Sequence, residues 1–269
     1  MLVRAGGVDE WSMAVATMVF AAVAGLLLGS FLTVVVDRVP EGRSVVAPGS
    51  ACGQCGLRLG PLDLIPVISW IVLRGRCRRC RTSIGIEPLV LELATCGIFV
   101  LVASKFGARW ATAAFCVLAA GLVALSWIDL HHRRLPREIS YVTLAVGAPL
   151  LVVDALVRSE PHRITTMLLG AACALVFMAA LYFLSNGGMG DGDVRLSPLL
   201  GAFLGWLSMW HVAVGLFLGF VFGAVVGVVA MVVGRAGRKT AIPFGPFLAA
   251  GTLTAILVGD RLIDAMLWR

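Results

Sequence analysis

Apolar residues fill this chain in long unbroken blocks, without the alternation of a half-buried strand or the narrow stripe of a surface helix. Blocks at 11–36, 88–104, 110–128, 139–157 and 164–184 match or approach the roughly 20 residues that cross a hydrocarbon core as a helix. The block at 196–234 is long enough for two helices and is expected to break near 208–210. A last block covers about 244–258. The pattern predicts an all-α polytopic membrane protein with about eight transmembrane helices. It also predicts three parts: an N-terminal transmembrane helix over 1–36, a polar module over 37–87, and a multi-helix membrane domain over 88–269.

Composition agrees with that reading. Hydrophobic residues make up 59% of the chain and charged residues 14%, against about 25% charged in a soluble domain. The net charge of +7 matters through its placement, because Lys and Arg concentrate on cytoplasmic connectors. The interval 37–87 holds Arg38, Arg43, Arg58, Arg74, Arg76, Arg78, Arg79 and Arg81, and is therefore expected inside. Alternation then puts connectors 129–138, 185–195 and 234–243 inside as well, and the N-terminus outside. The opposite connectors, 105–109 and 158–163, carry fewer basic residues. Asp9 and Glu10 stand where a removable signal peptide would be basic, so the first block reads as a permanent span. The lipid bilayer is thus the first partner. Interleaved aromatic and basic tracts are absent, and no nucleic-acid partner is expected. An internal repeat of the kind that builds many transporters is also absent.

Four of the seven cysteines form a pattern, "CGQC" (Cys52, Cys55) and "CRRC" (Cys77, Cys80). Two such knuckles at this spacing are the signature of a zinc ribbon. Each turn aims two thiolates at one point, and zinc takes four in a tetrahedron. A closed four-sulfur site makes the metal structural. The flanking arginines are expected to offset its negative charge. A redox pair or disulfides are the alternatives, and a cytoplasmic loop argues against stable disulfides. A module of this size can scarcely bury enough core to fold unaided, which a metal staple would remedy. The stretch "LDLIPVISWIVL" between the knuckles reads as the module's core or as a segment dipping against the membrane, not as another span.

Acids in or beside spans are costly and are candidates for function. Glu92, Asp129, Asp154 and the pair Asp191/Asp193 qualify. Asp154 reads as a solvated helix end. Asp129 ends the third span at the inner face, and the glycine-rich stretch "GGMGDGDVRL" (187–196) returns to that face. Two carboxylates from different helices then lie at one depth. Such a pair can share a proton, since like charges in contact resist joint ionisation. The protonated acid polarises a carbonyl while its ionised partner activates water. Gly188, Gly190 and Gly192 would let a substrate backbone approach closely. A proton relay in a transporter and a catalytically silent scaffold with a metal-stapled loop remain as alternative readings.

Several stretches resemble the prepilin peptidases, the GxGD-type membrane aspartic proteases of type IV pilus and type II secretion systems. They are "GSFLTVVVDRVP" (29–40), "LIPVISWIVLRGRCRRC" (64–80), "WIDLHHRRLP" (127–136), "GMGDGDVRL" (188–196) and "IPFGPFLAAG" (242–251). The resemblance implies a bacterial inner-membrane enzyme. Such an enzyme cuts the basic leader of prepilin or pseudopilin precursors after a glycine, on the cytoplasmic side. It carries the catalytic roles onto Asp129 and Asp193. Asp193 is preferred over Asp191 because Val194, Arg195 and Leu196 follow it as the family pattern requires. Members that keep the tetracysteine loop, as this chain does, typically also methylate the new N-terminus with S-adenosylmethionine. The chain departs from the family at Thr33, at Arg137 and Glu138, and at "EPLVLEL" (87–93). There Glu92 is displaced by one residue, about 100° around a helix, which weakens its carry-over as a functional acid.

Overall fold

The computed structural model describes residues 6–185, 189–234 and 243–267, with side chains described from 11 to 266. Gly188 and the connector residues Arg235, Arg238 and Lys239 fall outside the described residues. The described α-helices are α1 (Gly6–Arg38), α2 (Ile68–Val72), α3 (Glu87–Phe106), α4 (Trp110–His132), α5 (Arg137–Val157), α6 (His162–Leu184), α7 (Asp191–Leu207), α8 (Met209–Val232) and α9 (Gly245–Leu267). Among these residues there is no strand, only two isolated bridges, Ala51 with Arg58 and Arg76 with Ser83. The chain divides into two compact units, residues 1–112 and 113–269.

Seven helices, all but α2 and α7, are long and apolar enough to cross a membrane. The eighth expected span is α7, with 17 residues and with Asp191, Asp193 and Arg195 in its opening turns. At 1.5 Å per residue it is about 26 Å long, slightly under a typical hydrocarbon thickness of about 30 Å. The long block at 196–234 breaks at Ser208, whose extended backbone (φ −173°, ψ 164°) separates α7 from α8. The Ser208 hydroxyl accepts the His211 N–H and caps α8. Several helices outrun their apolar blocks. The ladder of α4, for example, continues through Asp129 to His132, since a polar side chain does not end a helix.

Close pairing of helices runs through glycines spaced one turn apart. In the first unit, a Cβ on Gly25 would lie 2.7 Å from Cys96 Cα, and one on Gly29 would lie 2.6 Å from Glu92 Cα. Thus α1 and α3 touch backbone to backbone. In the second unit Gly201 and Gly205 of α7 meet Gly170 of α6, and a Cβ on Gly205 would sit 2.5 Å from Thr166 O. Gly251 of α9 likewise presses on α8, where its Cβ would meet Gly215 O at 2.6 Å. Between helices in lipid the hydrophobic drive is absent, so this closeness, with its dispersion contacts, carries association.

The core of the second unit is α4, whose Phe115, Leu118, Leu122, Leu125 and Ile128 are at most 1% exposed. Near its start, Phe115 packs edge to face on Phe203 (5.7 Å) and Trp206 (5.9 Å), near the end of α7. The two helices are therefore antiparallel, and the last turn of α4 is level with the first turn of α7. Inside α7, Pro198 cannot donate to the Val194 carbonyl, and the Ser197 hydroxyl bonds that oxygen instead at 2.8 Å. Asp154, expected as a solvated helix end, is buried at 2% exposure.

Gly201→Val is expected to destabilise by about 1–3 kcal/mol or more, because the new side chain would overlap the Gly170 carbonyl. Gly97→Val, where a Cβ meets nothing within 4 Å, serves as the control. Thermal unfolding in detergent should show a clear drop for the first only. Equal drops would contradict the close-packing account.

Candidate functional site

Three chain segments converge at one end of the second unit: the end of α4 with the turn after it, the start of α7 and the start of α9. Asp129 and Asp193 are both buried, at 6% exposure. They come from α4 and α7, whose ends meet at Leu135, which packs against both Gly192 and Gly245. Asp129 Oδ2 accepts the Gly245 N–H at 2.9 Å. The first turn of α9 thus gives one of its free backbone donors to a carboxylate from another helix. Gly190 is the N-cap of α7. A Cβ there would lie 3.5 Å from Asp193 Oδ2, so the Asp193 carboxylate folds back over the start of its own helix.

Asp191 behaves differently. It is exposed and pairs with Arg195 at 2.8 Å, one turn along α7. The two overlapping GxGD readings of the sequence are therefore physically distinct, one buried beside Asp129 and the other facing outward with a basic partner.

The glycines also separate. Gly190 is exposed and meets only the Asp193 carboxylate. Gly192 faces Leu135, whose Cβ would be 3.1 Å from an added Cβ. Leu135 also approaches Gly245, with Cδ2 at 3.0 Å from a Cβ built there. Leu135 thus wedges between the starts of α7 and α9. Neither Leu135 nor Gly245 was assigned a role from sequence, although both lie in stretches that carried the family resemblance. The signal was a glycine just before Pro246 at a helix start, where a backbone N–H is free for a ligand.

His131 stacks on Trp127 at 4.7 Å and bonds its carbonyl at 2.8 Å. It is an exposed ring held on its own helix.

In the first unit all four expected cysteines come together, with sulfurs within 4.8 Å of one another. Cys52 Sγ lies 3.7 Å from Cys80 Sγ, and Cys55 Sγ lies 3.9 Å from Cys77 Sγ. A tetrahedron with metal–sulfur bonds of about 2.3 Å has edges of about 3.8 Å, so the spacing suits a tetrahedral metal ion. The two knuckles are near copies. Cys52 N–H bonds Leu57 O and Gly56 N–H bonds Cys52 O; Cys77 N–H bonds Thr82 O and Arg81 N–H bonds Cys77 O. Gly56 (φ +66°) and Arg81 (φ +60°) hold the same left-handed corner. Backbone N–H groups of Cys55 and Gln54 bring the Cys52 thiol down to about 6. Those of Cys80 and Arg79 lower the Cys77 thiol. Both effects favour the thiolate a metal needs, whereas the Cys80 thiol, lowered by the Thr82 backbone N–H but raised by burial and by the three neighbouring thiols, stands at about 11. One flanking arginine is engaged elsewhere, since Arg78 pairs with Asp63 at 2.7 Å. Between the knuckles, α2 leaves Ile68, Ile71 and Val72 exposed, so of the two readings of this stretch it is not simply module core.

Glu92 belongs to this unit as well. It is buried and accepts the Val67 N–H at 2.7 Å.

Comparison with known sequences bears on both units. The pattern described as Bacterial Peptidase A24 N-terminal domain matches residues 23–106, and that of the Type IV leader peptidase family matches residues 116–228. The chain is similar to a protein of Bacillus subtilis named prepilin leader peptidase/N-methyltransferase, at 32% identity over 240 residues, covering 89% of this chain and 94% of that one. It is similar to proteins of the same name from Pseudomonas aeruginosa (32% identity; 88% and 89% of the two chains) and Stutzerimonas stutzeri (33%; 92% and 92%). No solved structure matches the chain.

Proposed function

The chain belongs to the type IV leader peptidase family, and from that membership we propose that it removes the basic leader of prepilin-like precursors with Asp129 and Asp193 as the catalytic pair. The observation that carries this reading is the burial of both carboxylates at the one junction where Leu135 meets the starts of α7 and α9, with Asp191 turned outward to Arg195. The pair shares one proton. The protonated member donates a hydrogen bond to the scissile carbonyl, and the ionised member takes a proton from water. That water's oxygen attacks the carbonyl carbon. The resulting intermediate collapses with cleavage of the C–N bond, and the leaving amine takes up a proton from the acid pair. Gly245 N–H steadies one oxygen of Asp129 and leaves the other for water. Gly188 and Gly190 admit the peptide backbone, with Gly190 the open position, whereas Gly192, expected to do the same, makes room for Leu135 instead.

The substrates of this reading are prepilins or pseudopilins with a basic leader and a hydrophobic first helix. Cleavage falls after glycine, at the cytoplasmic face of the bacterial inner membrane. The placement of the arginines supports that orientation, with the N-terminus outside. The functional division is the helix over 1–36, a zinc-stapled module over 37–87 and the membrane helices over 88–269, of which those in the second unit carry the peptidase site. Cys52, Cys55, Cys77 and Cys80 hold a structural zinc. The relatives' name couples leader cleavage to N-methylation, and a second activity that methylates the new N-terminal amine from S-adenosylmethionine belongs to the same proposal.

Leader removal from a pilin precursor, followed by gel shift in membranes, tests the aspartates. Asp129→Asn and Asp193→Asn are each expected to lose at least about 10²–10⁴-fold in rate, while Asp191→Asn keeps substantial activity. Cleavage persisting in both buried-aspartate variants would sink the mechanism. Gly245→Ala brings a methyl to 2.8 Å from Asp129 Oδ2. It should slow cleavage roughly 10- to 100-fold by displacing the carboxylate, and an unchanged rate would remove Gly245 from the account. Metal analysis of the purified protein should find about one zinc per chain, lost in Cys52→Ser/Cys55→Ser. Unchanged zinc content in that variant would exclude the four-cysteine site.

A further inference from the structure

Leader cleavage makes no use of an apolar face that the first unit presents beside its cysteine cluster. In α2, Ile68, Ile71 and Val72 stand at i, i+3 and i+4, on one side of the helix, and all three are exposed. Leu62, Leu64 and Ile65, just before it, are exposed as well. So dense a run of large apolar side chains exceeds the scattered exposure normal on a protein surface. The other side of the stretch is occupied. Ser69, Trp70 and Leu73 line a cavity of about 550 Å³, together with Ser30 and Thr33 of α1 and Glu92 of α3. The one acid between residues 44 and 86, Asp63, has a side chain only 12% exposed and pairs with Arg78 at 2.7 Å. No free carboxylate therefore interrupts the apolar face.

The height of this face follows from what holds it. The N–H of Val67, at the N-cap of α2, donates to Glu92 Oε2 at 2.7 Å. Glu92 lies five residues inside α3, about 7 Å along its axis from Glu87. Its neighbour across the helix pair is Gly29, nine residues before the end of α1 and about 13 Å from Arg38 along that helix. Side chains on a helix lean toward its N-terminus, so the Glu92 carboxylate reaches back from that level toward the start of α3. The start of α2 thus lies alongside the last turns of α1 and the first turns of α3 rather than beyond them. Ser30 and Thr33 on the cavity wall mark the same level. Both long helices are apolar enough to cross a membrane, so this level is the edge of the hydrocarbon.

We propose that the segment 62–72 lies in the boundary between headgroups and acyl chains of the leaflet where α1 ends and α3 begins, with Ile68, Ile71 and Val72 against lipid. An amphipathic segment seats its apolar face roughly 5–10 Å into that layer, which is the depth set by the tie to Glu92. At that level α1 also exposes a large apolar side chain, Phe31. Charge complements the apolar contact. Six arginines and one acid stand between residues 44 and 86, and Arg74, Arg76, Arg79 and Arg81 are exposed just beyond α2. A zinc ion on four thiolates would be doubly negative, which still leaves the module positive and suited to anionic headgroups. Irregular backbone at this depth needs partners within the protein, and the Val67 N–H has one in Glu92. The contact does not depend on the peptidase reading, and it fixes the height of the cysteine module against the bilayer.

Photolabelling of the full-length protein in nanodiscs of phosphatidylethanolamine and phosphatidylglycerol tests the contact. A trace of phosphatidylglycerol carries a diazirine on its acyl chain, and mass spectrometry locates the label. Ile68, Ile71 and Val72 are expected to label within about threefold of Phe31, and residues 53–58 of the first knuckle at least about tenfold less. Ile68→Asp/Ile71→Asp should cut the label on Ile65 and Val72 about tenfold, because carboxylates are expelled from hydrocarbon. Should that variant not fold, the wild-type pattern decides alone. Hydroxyl-radical footprinting in the same nanodiscs is the opposite probe, and the stretch should resist it. Strong oxidation of Ile68 and Ile71 from water, beside a lipid-labelled Phe31, overturns the proposal. So does protection that arises only once a pilin precursor is added, which would assign the face to the substrate's hydrophobic segment.

Discussion

Phe115 sits near the start of α4 and packs on Phe203 and Trp206 near the end of α7. That contact sets how far along each helix every other side chain falls. Fourteen residues of α4 separate Phe115 from Asp129, about 21 Å of helix. The interval from Asp193 to Phe203 and Trp206 spans a comparable distance along α7 in the opposite direction. Two carboxylates remote in sequence thereby arrive at one depth. A slip of one turn in this register would part them by about 5 Å and leave each buried alone, which is costly for any carboxylate. Pro198 makes the same helix vulnerable, and the Ser197 hydroxyl satisfies the carbonyl it leaves open.

The register can be this exact because the helices come so close. Gly201 and Gly205 against Gly170, and Gly251 against Gly215, bring backbones to distances at which no Cβ fits. Glycine costs a helix roughly 1 kcal/mol against alanine, so its use at these points reflects packing. Contact between backbones leaves few alternative arrangements, and rigid placement is what the proposed proton-sharing pair requires.

The first unit solves a different problem. Its polar module has little core, and two congruent knuckles gather four sulfurs through backbone turns alone. The second knuckle places Arg81 where the first has Gly56, so the turn geometry is kept even where the residue suited to it is absent. Around that anchor, Trp70, Asp63 and Arg78 are tied by local bonds. Glu92 is the exception, a buried acid that accepts the Val67 N–H and, among the described residues, forms no ion pair.

The spans were legible because hydrophobic length is a property of each segment separately, and the helices exceed the apolar blocks only at their ends. The cysteine cluster was legible because each knuckle is a local turn of fixed spacing. The glycine faces were open to reading as well, since Gly25 and Gly29, or Gly201 and Gly205, stand four apart, but their partners lie on other helices. Asp154 was misjudged because burial at a helix end depends on what packs beside it. The sequence by itself determined the helical membrane class, the four sulfurs that cluster and a short roster of acids, all of which follow from composition and short-range spacing. Only the tertiary structure decided that Asp193 is buried beside Asp129 while Asp191 faces outward, that Gly245 and Leu135 complete the junction, and that Glu92 lines a cavity. Each of those outcomes depends on helices that meet from distant parts of the chain, where a difference of two residues along α7 turns a side chain from the interior to the surface.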